Sequence, residues 1–300
     1  MAPSAGSLVY LHGVGGLRAG WDAAVADSLA PGTARIAVEY ADLLSTDAST
    51  GDAWSRDATV GADVDEAAGA SGRSGRDDAG REAYVLRQRA LADALEEDGE
   101  SVPRGMAWPA GLPRPGDLPD RLPLPRVLRA PMFGLDQVGR YFDSGDRRAA
   151  VQERVIAALR EAPAPVVVVG HSLGSVVALE ALADPRVRVR MLVTAGSPLG
   201  HAAVADAVAP GPFPYARVGH WLNLVHLLDP VPFGRGVSTR FPAAHDAFLP
   251  VLAGVDSRSI PSALAGVGRL ATAHLESTYL RSRTFATALQ FALDPVGAAA

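Results

Sequence analysis

The sequence contains no cysteine. Disulfides, thiolate metal sites and a cysteine nucleophile are therefore excluded. No apolar run approaches the roughly 20 residues that a membrane helix needs, so no integral membrane segment is expected. The first residues, Met1-Ala2-Pro3-Ser4-Ala5-Gly6, lack the basic segment and apolar core of a secretory leader. A soluble, cytoplasmic protein is the expectation. Blocks of basic residues are also missing. Arginines are interleaved with Asp and Glu, and the net charge is −5, which gives no reason to expect a nucleic-acid partner. No internal repeat is visible. Neither nucleotide fingerprint is met by the early glycine cluster, because Arg18 occupies the last glycine position of a G-x-G-x-x-G and no G-x-x-x-x-G-K follows. No cofactor and no metal are expected.

The stretch from Pro165 to Ala181, P-V-V-V-V-G-H-S-L-G-S-V-V-A-L-E-A, organises the rest. Val166 to Val169 reads as a strand buried on both faces of a parallel sheet. Gly170-His171-Ser172-Leu173-Gly174 follows at once, and Val176, Val177, Leu179 and Leu182 continue at helical spacing. Strand, G-x-S-x-G and helix in that order is the context of a nucleophilic serine on a tight turn. Gly170 and Gly174 leave room for the flanking backbones. Ser172 would stand at the positive end of the following helix, and the Leu173 amide would serve as one oxyanion donor.

Other elements follow from pattern. Leu8 to Leu11 reads as a first strand ending in His12-Gly13-Val14-Gly15-Gly16, followed by a helix over Trp21 to Leu29. That glycine-rich turn is either a plain turn or the source of a second oxyanion amide, from Val14 first and Gly15 as runner-up. Further strands are expected over Arg35 to Tyr40, Arg186 to Thr194 and Trp221 to Leu228, with a last one over Phe248 to Val255. Helices are expected over Arg81 to Glu97, Arg147 to Glu161, Val204 to Val208 and Tyr279 to Leu293. Thr46 to Asp78 is poor in large apolar residues, and eight prolines punctuate Val102 to Pro131, which forbids regular helix or central strand there. Residues 45–130 therefore read as an insertion in one domain spanning 1–300. It is expected either to act as a lid, with Trp108, Leu112 and Leu122 toward Ser172, or to run as a surface excursion.

A serine needs a base, and the base needs an orienting carboxylate. Asp229 terminates an apolar strand at its carboxyl end, the edge of a parallel sheet where catalytic groups collect. Asp206 is the runner-up, and an Asp-Pro turn is the alternative reading of Asp229. With the chain order Ser, acid, His, only His245 and His274 of the seven histidines remain. His245 follows Asp229 by about 16 residues, which leaves little room for a crossover and a strand. His274 is preferred.

These motifs resemble the α/β-hydrolase superfamily: G-H-S-L-G after V-V-V-V, H-G-V-G-G after the first strand, and D-P-V after W-L-N-L-V-H-L-L. T-A-G-S-P-L and H-x-x-x-x-Y-L are similar to a bacterial group of serine hydrolases described as lipases, esterases or peptidases. The resemblance spans about residues 7–44 and 133–293, and 45–130 match no pattern in it. It implies a doubly wound, mostly parallel α/β sheet, with Ser172 as nucleophile, Asp229 as acid and His274 as base. The expected activity is hydrolysis of a carboxylic ester, with a small or lipid-like acyl ester as partner. Acyl transfer or thioester cleavage by the same residues is one alternative, and a binding module that kept the fold is another.

Overall fold

Short apolar runs pair side by side to make one sheet. The computed structural model of the protein describes residues 6–45, 74–98, 100, 136–208, 211–250 and 273–294. Its strands are β1 (Ser7–Leu11), β2 (Ala34–Val38), β3 (Val166–His171), β4 (Val189–Ala195), β5 (Val218–His226) and β6 (His245–Leu249). They form a six-stranded sheet in the order β2-β1-β3-β4-β5-β6, and every pair is parallel. All the C-terminal ends therefore meet at one edge. The valine run lies inside the sheet, with β1 on one side and β4 on the other.

The helices are α1 (Trp21–Ala26), α2 (Ser74–Asp98), α3 (Asp136–Asp143), α4 (Gly145–Glu161), α5 (Leu173–Ala181), α6 (Ala202–Val208), α7 (Glu276–Leu280) and α8 (Arg283–Leu293). Side chains alternate across a strand, and the two cores follow that alternation. Val166, Val168 and Leu192 join Val151 and Val155 of α4 and Val176 of α5 on one face. Val167, Val169, Met191 and Val193 join Trp21 of α1, Tyr279 of α7 and Phe285 of α8 on the other. Helices thus cover both faces of an all-parallel sheet, the arrangement such sheets require. No described helix is long and apolar enough to cross a membrane.

Several boundaries differ from the sequence pattern, three of them in ways that change an element or have a visible cause. The expected strand over Phe248 to Val255 is instead His245–Leu249, and residues 251–255 lie outside the described residues. The link from β5 to β6, residues 227–244, consists of turns with no α-helix, so the short connection after Asp229 reaches a strand that begins at His245. The expected helix from Tyr279 to Leu293 is two helices, because the Ser282 side chain caps a new one by accepting from the Phe285 amide at 3.2 Å. The strand expected from Arg186 starts at Val189, since Asp184 and Arg186 are locked in a turn where the Arg186 amide donates to Asp184 Oδ1 at 2.8 Å. The proposed lid residues Trp108, Leu112 and Leu122 lie outside the described residues.

Helix α2, from the span 45–130, contributes to the sheet's hydrogen bonding. β6 pairs with β5 only from Leu222 onward, so the edge of Trp221 is open. Gln88 of α2 fills it: Trp221 N donates to Gln88 Oε1 at 3.2 Å, and Gln88 Nε2 donates to the Trp221 carbonyl at 2.9 Å. A side-chain amide here replaces one residue of a missing strand. Gln88→Ala leaves both groups of Trp221 unpaired and is expected to cost about 1–3 kcal/mol, read as a lower urea midpoint with unchanged m-value.

His220 on β5 is 2% exposed, with its ring edge-on to Phe291 at 5.2 Å. Burial first, then the charges of Arg190 and Arg87, push its pKa down from the ordinary 6.5 to about 4. The unfolded chain therefore binds a proton at His220 that the folded chain refuses between those two pH values. Stability contributed by the neutral ring is complete above about pH 6.5 and is lost as pH falls toward about 4. In urea unfolding across that window, His220→Leu is expected to flatten the slope of stability against pH.

Candidate active site

The turn between β3 and α5 is built from backbones in contact. A Cβ on Gly174 would lie 2.2 Å from the Leu11 carbonyl oxygen, and one on Gly170 would lie 2.5 Å from the Gly174 carbonyl oxygen. Helix α5 can therefore start against the end of β1 only with glycine at both positions. Between them Ser172 adopts φ 53° and ψ −122°, a conformation that costs a non-glycine residue about 1–3 kcal/mol. Its amide is anchored to the Ala195 carbonyl of β4 at 2.9 Å. The Leu173 amide belongs to the first turn of α5, where N–H groups have no intrahelical acceptor.

Ser172 leaves β3 and Asp229 follows β5, so β4 lies between them. Strand spacing puts their strands about 10 Å apart. The ring of His274 spans that gap. Its Nε2 lies 3.1 Å from Ser172 Oγ and its Nδ1 lies 2.8 Å from Asp229 Oδ2. A carboxylate can only accept, so Nδ1 carries the proton and Nε2 presents its lone pair to the serine hydroxyl. The ring passes over the end of β4 at Gly196, which has φ +55° and where a Cβ would sit 2.9 Å from Asp229 Oδ2 and 3.1 Å from His274 Nδ1. Only glycine leaves both the backbone turn and the passage open.

Asp229 is buried, and its oxygens have defined donors. Oδ1 accepts from the Val231 amide at 2.8 Å. Oδ2 accepts from His274 and also from the Tyr279 hydroxyl of α7. The Val231 carbonyl in turn accepts from His201 Nε2 at 2.7 Å, which fixes the turn that presents the carboxylate.

The His12–Gly16 loop is held by the end of β2. His12 Nε2 lies 2.8 Å from Glu39 Oε1, the Leu17 amide donates to Glu39 Oε2 at 3.0 Å, and the Tyr40 hydroxyl donates to the His12 carbonyl. Val14, from this loop, lines a cavity of about 120 Å³ together with Tyr10, Ser172, His171, His274 and Arg18. At its rim Arg18 Nε lies 3.7 Å from Glu276 Oε2. His171 is buried with its ring 4.8 Å from that of His274. Burial, then His274, push its pKa well down, so it stays uncharged beside the second imidazole. No group of three or more His, Asp or Glu among the described residues could hold a metal ion.

Of the residues singled out by sequence, Ser172, Asp229 and His274 meet in one hydrogen-bonded series; Leu173 shares the turn of Ser172, and Val14, on the loop after β1, lines the same cavity as Ser172 and His274. The runners-up do not join it. Asp206 is exposed on α6. His245 pairs in register with Leu222, four residues back from the C-terminal edge where Ser172 and Asp229 lie. Gly196, Tyr279, Glu39 and His201 went unread as parts of the site. Gly196 stands in T-A-G-S-P-L and Tyr279 in H-x-x-x-x-Y-L, but those patterns assign no role to either residue. No protein-family model matches the sequence, and no curated protein matches it.

Gly196→Ala is expected to force the His274–Asp229 contact open beyond its present 2.8 Å and to cost about 1–3 kcal/mol from the strained φ. A crystal structure of the variant and its urea midpoint test both parts. An unchanged contact would refute the steric argument.

Proposed function

We propose that the protein is a serine hydrolase of the α/β-hydrolase type that cleaves a carboxylic ester, with Ser172 as nucleophile, His274 as base and Asp229 as the acid that orients it. The observation that carries this reading is the continuous series from Ser172 Oγ through the His274 ring to Asp229 Oδ2, at 3.1 and 2.8 Å. It lies at the C-terminal edge of a parallel sheet, beside a cavity. The strained backbone of Ser172 supports it independently, since strain of this kind persists where the surroundings over-determine it and clusters at functional sites.

In the first step Ser172 Oγ attacks the ester carbonyl carbon while its proton passes to His274 Nε2. The carbonyl π electrons move to oxygen, and the amides of Leu173 and Val14 donate to that oxyanion. Collapse expels the alcohol, which takes the proton from Nε2, and leaves an acyl group on Ser172. Water then repeats the sequence: His274 takes its proton, its oxygen attacks the acyl carbon, and Ser172 leaves with the proton returned. Asp229 keeps the imidazole in the tautomer that exposes its lone pair to Ser172 and stabilises the imidazolium.

Nucleophile and base act as a unit. Ser172→Ala and His274→Ala are each expected to lower kcat for p-nitrophenyl acetate by about 10³-fold or more, with Asp229→Ala roughly 10²-fold less damaging. Circular dichroism serves as the folding control. A fluorophosphonate probe should label the wild type at Ser172 and fail on Ser172→Ala. A folded Ser172→Ala that retains wild-type turnover would sink the proposal.

A further inference from the structure

Tyr279 sits on α7, fully buried among the apolar side chains under the sheet. A phenol in such a place needs hydrogen-bond partners. It has two, and they fix the direction of its proton. The His226 amide donates to its oxygen at 3.3 Å, so the hydroxyl proton is available to the other partner, Asp229 Oδ2. That is the oxygen to which His274 Nδ1 also donates. One carboxylate oxygen is thus divided between a phenol and an imidazole, while the second oxygen is occupied by the Val231 amide.

We propose that Tyr279 is a positioning residue of this site, whose hydroxyl draws on Asp229 Oδ2 and so weakens the hold of His274 on its proton. The inference rests on the assignment of His274 as the base. A hydrogen bond to an ionised carboxylate stabilises its charge. Charge engaged by the phenol is withdrawn from the imidazolium that Asp229 would otherwise stabilise. The phenol remains a donor throughout the working range, because burial and then the neighbouring Asp229 raise its pKa well above the ordinary 10.

Other groups also face His274. Ser172 and His171 approach from the β3–α5 turn, Arg18 from the loop after β1, and Glu276 from α7. His171 is held neutral by burial. Arg18 and Glu276 are opposite charges joined at the rim, 3.7 Å apart. Tyr279 differs from all four in touching the carboxylate itself.

The test follows the His274 ring directly. Full-length protein labelled with ¹⁵N-histidine is titrated by NMR, with the signal assigned by its loss in His274→Ala. Tyr279→Phe is expected to raise the His274 titration midpoint by about half a pH unit or more and to move its Nδ1 proton downfield. The acid limb of kcat/KM for p-nitrophenyl acetate should move to higher pH by the same amount, with KM unchanged. Site-specific 3-fluorotyrosine at position 279 keeps the ring and strengthens the donor, so it should lower the midpoint. This variant also serves if Tyr279→Phe does not fold. An unchanged midpoint in a folded variant of either kind overturns the proposal. The NMR readout needs no turnover. A Tyr279-dependent midpoint in a protein without esterase activity would refute the hydrolase reading while upholding the coupling.

Discussion

The contact between the end of β1 and the start of α5 sets the geometry of everything at the C-terminal edge. Backbone meets backbone there, with the Leu11 carbonyl oxygen 2.2 Å from where a Cβ of residue 174 would be. Such an approach fixes where α5 begins and therefore where the turn before it must reverse. Ser172 is the residue left to make that reversal, and its positive φ follows from it. The cost is of order 1–3 kcal/mol, against a helix whose residues are almost all buried. Burying a Val or Leu side chain contributes roughly 1.5–3 kcal/mol, so the apolar residues of α5, Val176, Val177 and Leu179, outweigh the strain at one serine. Packing holds the serine in a conformation it would not adopt alone.

The second constraint is distance. Strands β3 and β5 are not neighbours, and β4 separates them. Two side chains reaching from their ends cannot touch, but an imidazole between them reaches both. The spanning ring needs the end of β4 to be low and bare, which Gly196 provides. The backbone ladder continues past the formal strand ends at this point: Ser172 N donates to the Ala195 carbonyl at 2.9 Å and Gly196 N donates to the Leu224 carbonyl at 3.2 Å. Those two bonds tie the three strand ends together and set the gap that His274 crosses.

Sequence alone revealed what depends on local pattern. Four consecutive valines followed by G-H-S-L-G leave little freedom in assigning β3, the turn and α5, and the apolar runs of β1, β4 and β5 were readable to within a few residues. β6 was misplaced because His245–Leu249, H-D-A-F-L, carries two polar residues among five. Its Asp246 is buried by partners that no pattern displays: Asn223 Nδ2 and the Val237 amide, each donating at 2.9 Å. Gln88 as a substitute strand was equally invisible, since a glutamine on an amphipathic helix reads as a solvated position. Gly196 and Tyr279 act through contacts with residues 33 or more positions away in the chain, Asp229 and His274 among them. A turn glycine and a core tyrosine look the same whether or not they touch a site.

Asp229 and Asp246 show why burial and hydrogen bonding do not by themselves identify a functional carboxylate. Both are buried in the sheet layer, at 1% and 6% exposure, and both accept three hydrogen bonds. A buried carboxylate without donors would be costly, so each must have them. What separates the two is the kind of donor. Asp246 is held by an amide side chain and two backbone N–H groups, none of which changes its charge near neutral pH, and it closes the β5–β6 connection. Asp229 has one backbone donor, one phenol and one imidazole. The imidazole can change its charge, and its far nitrogen faces a strained serine at the wall of a cavity. Proton traffic is possible only where a satisfied buried charge is connected to a titratable group with access to a ligand. Among these two carboxylates that condition holds at Asp229.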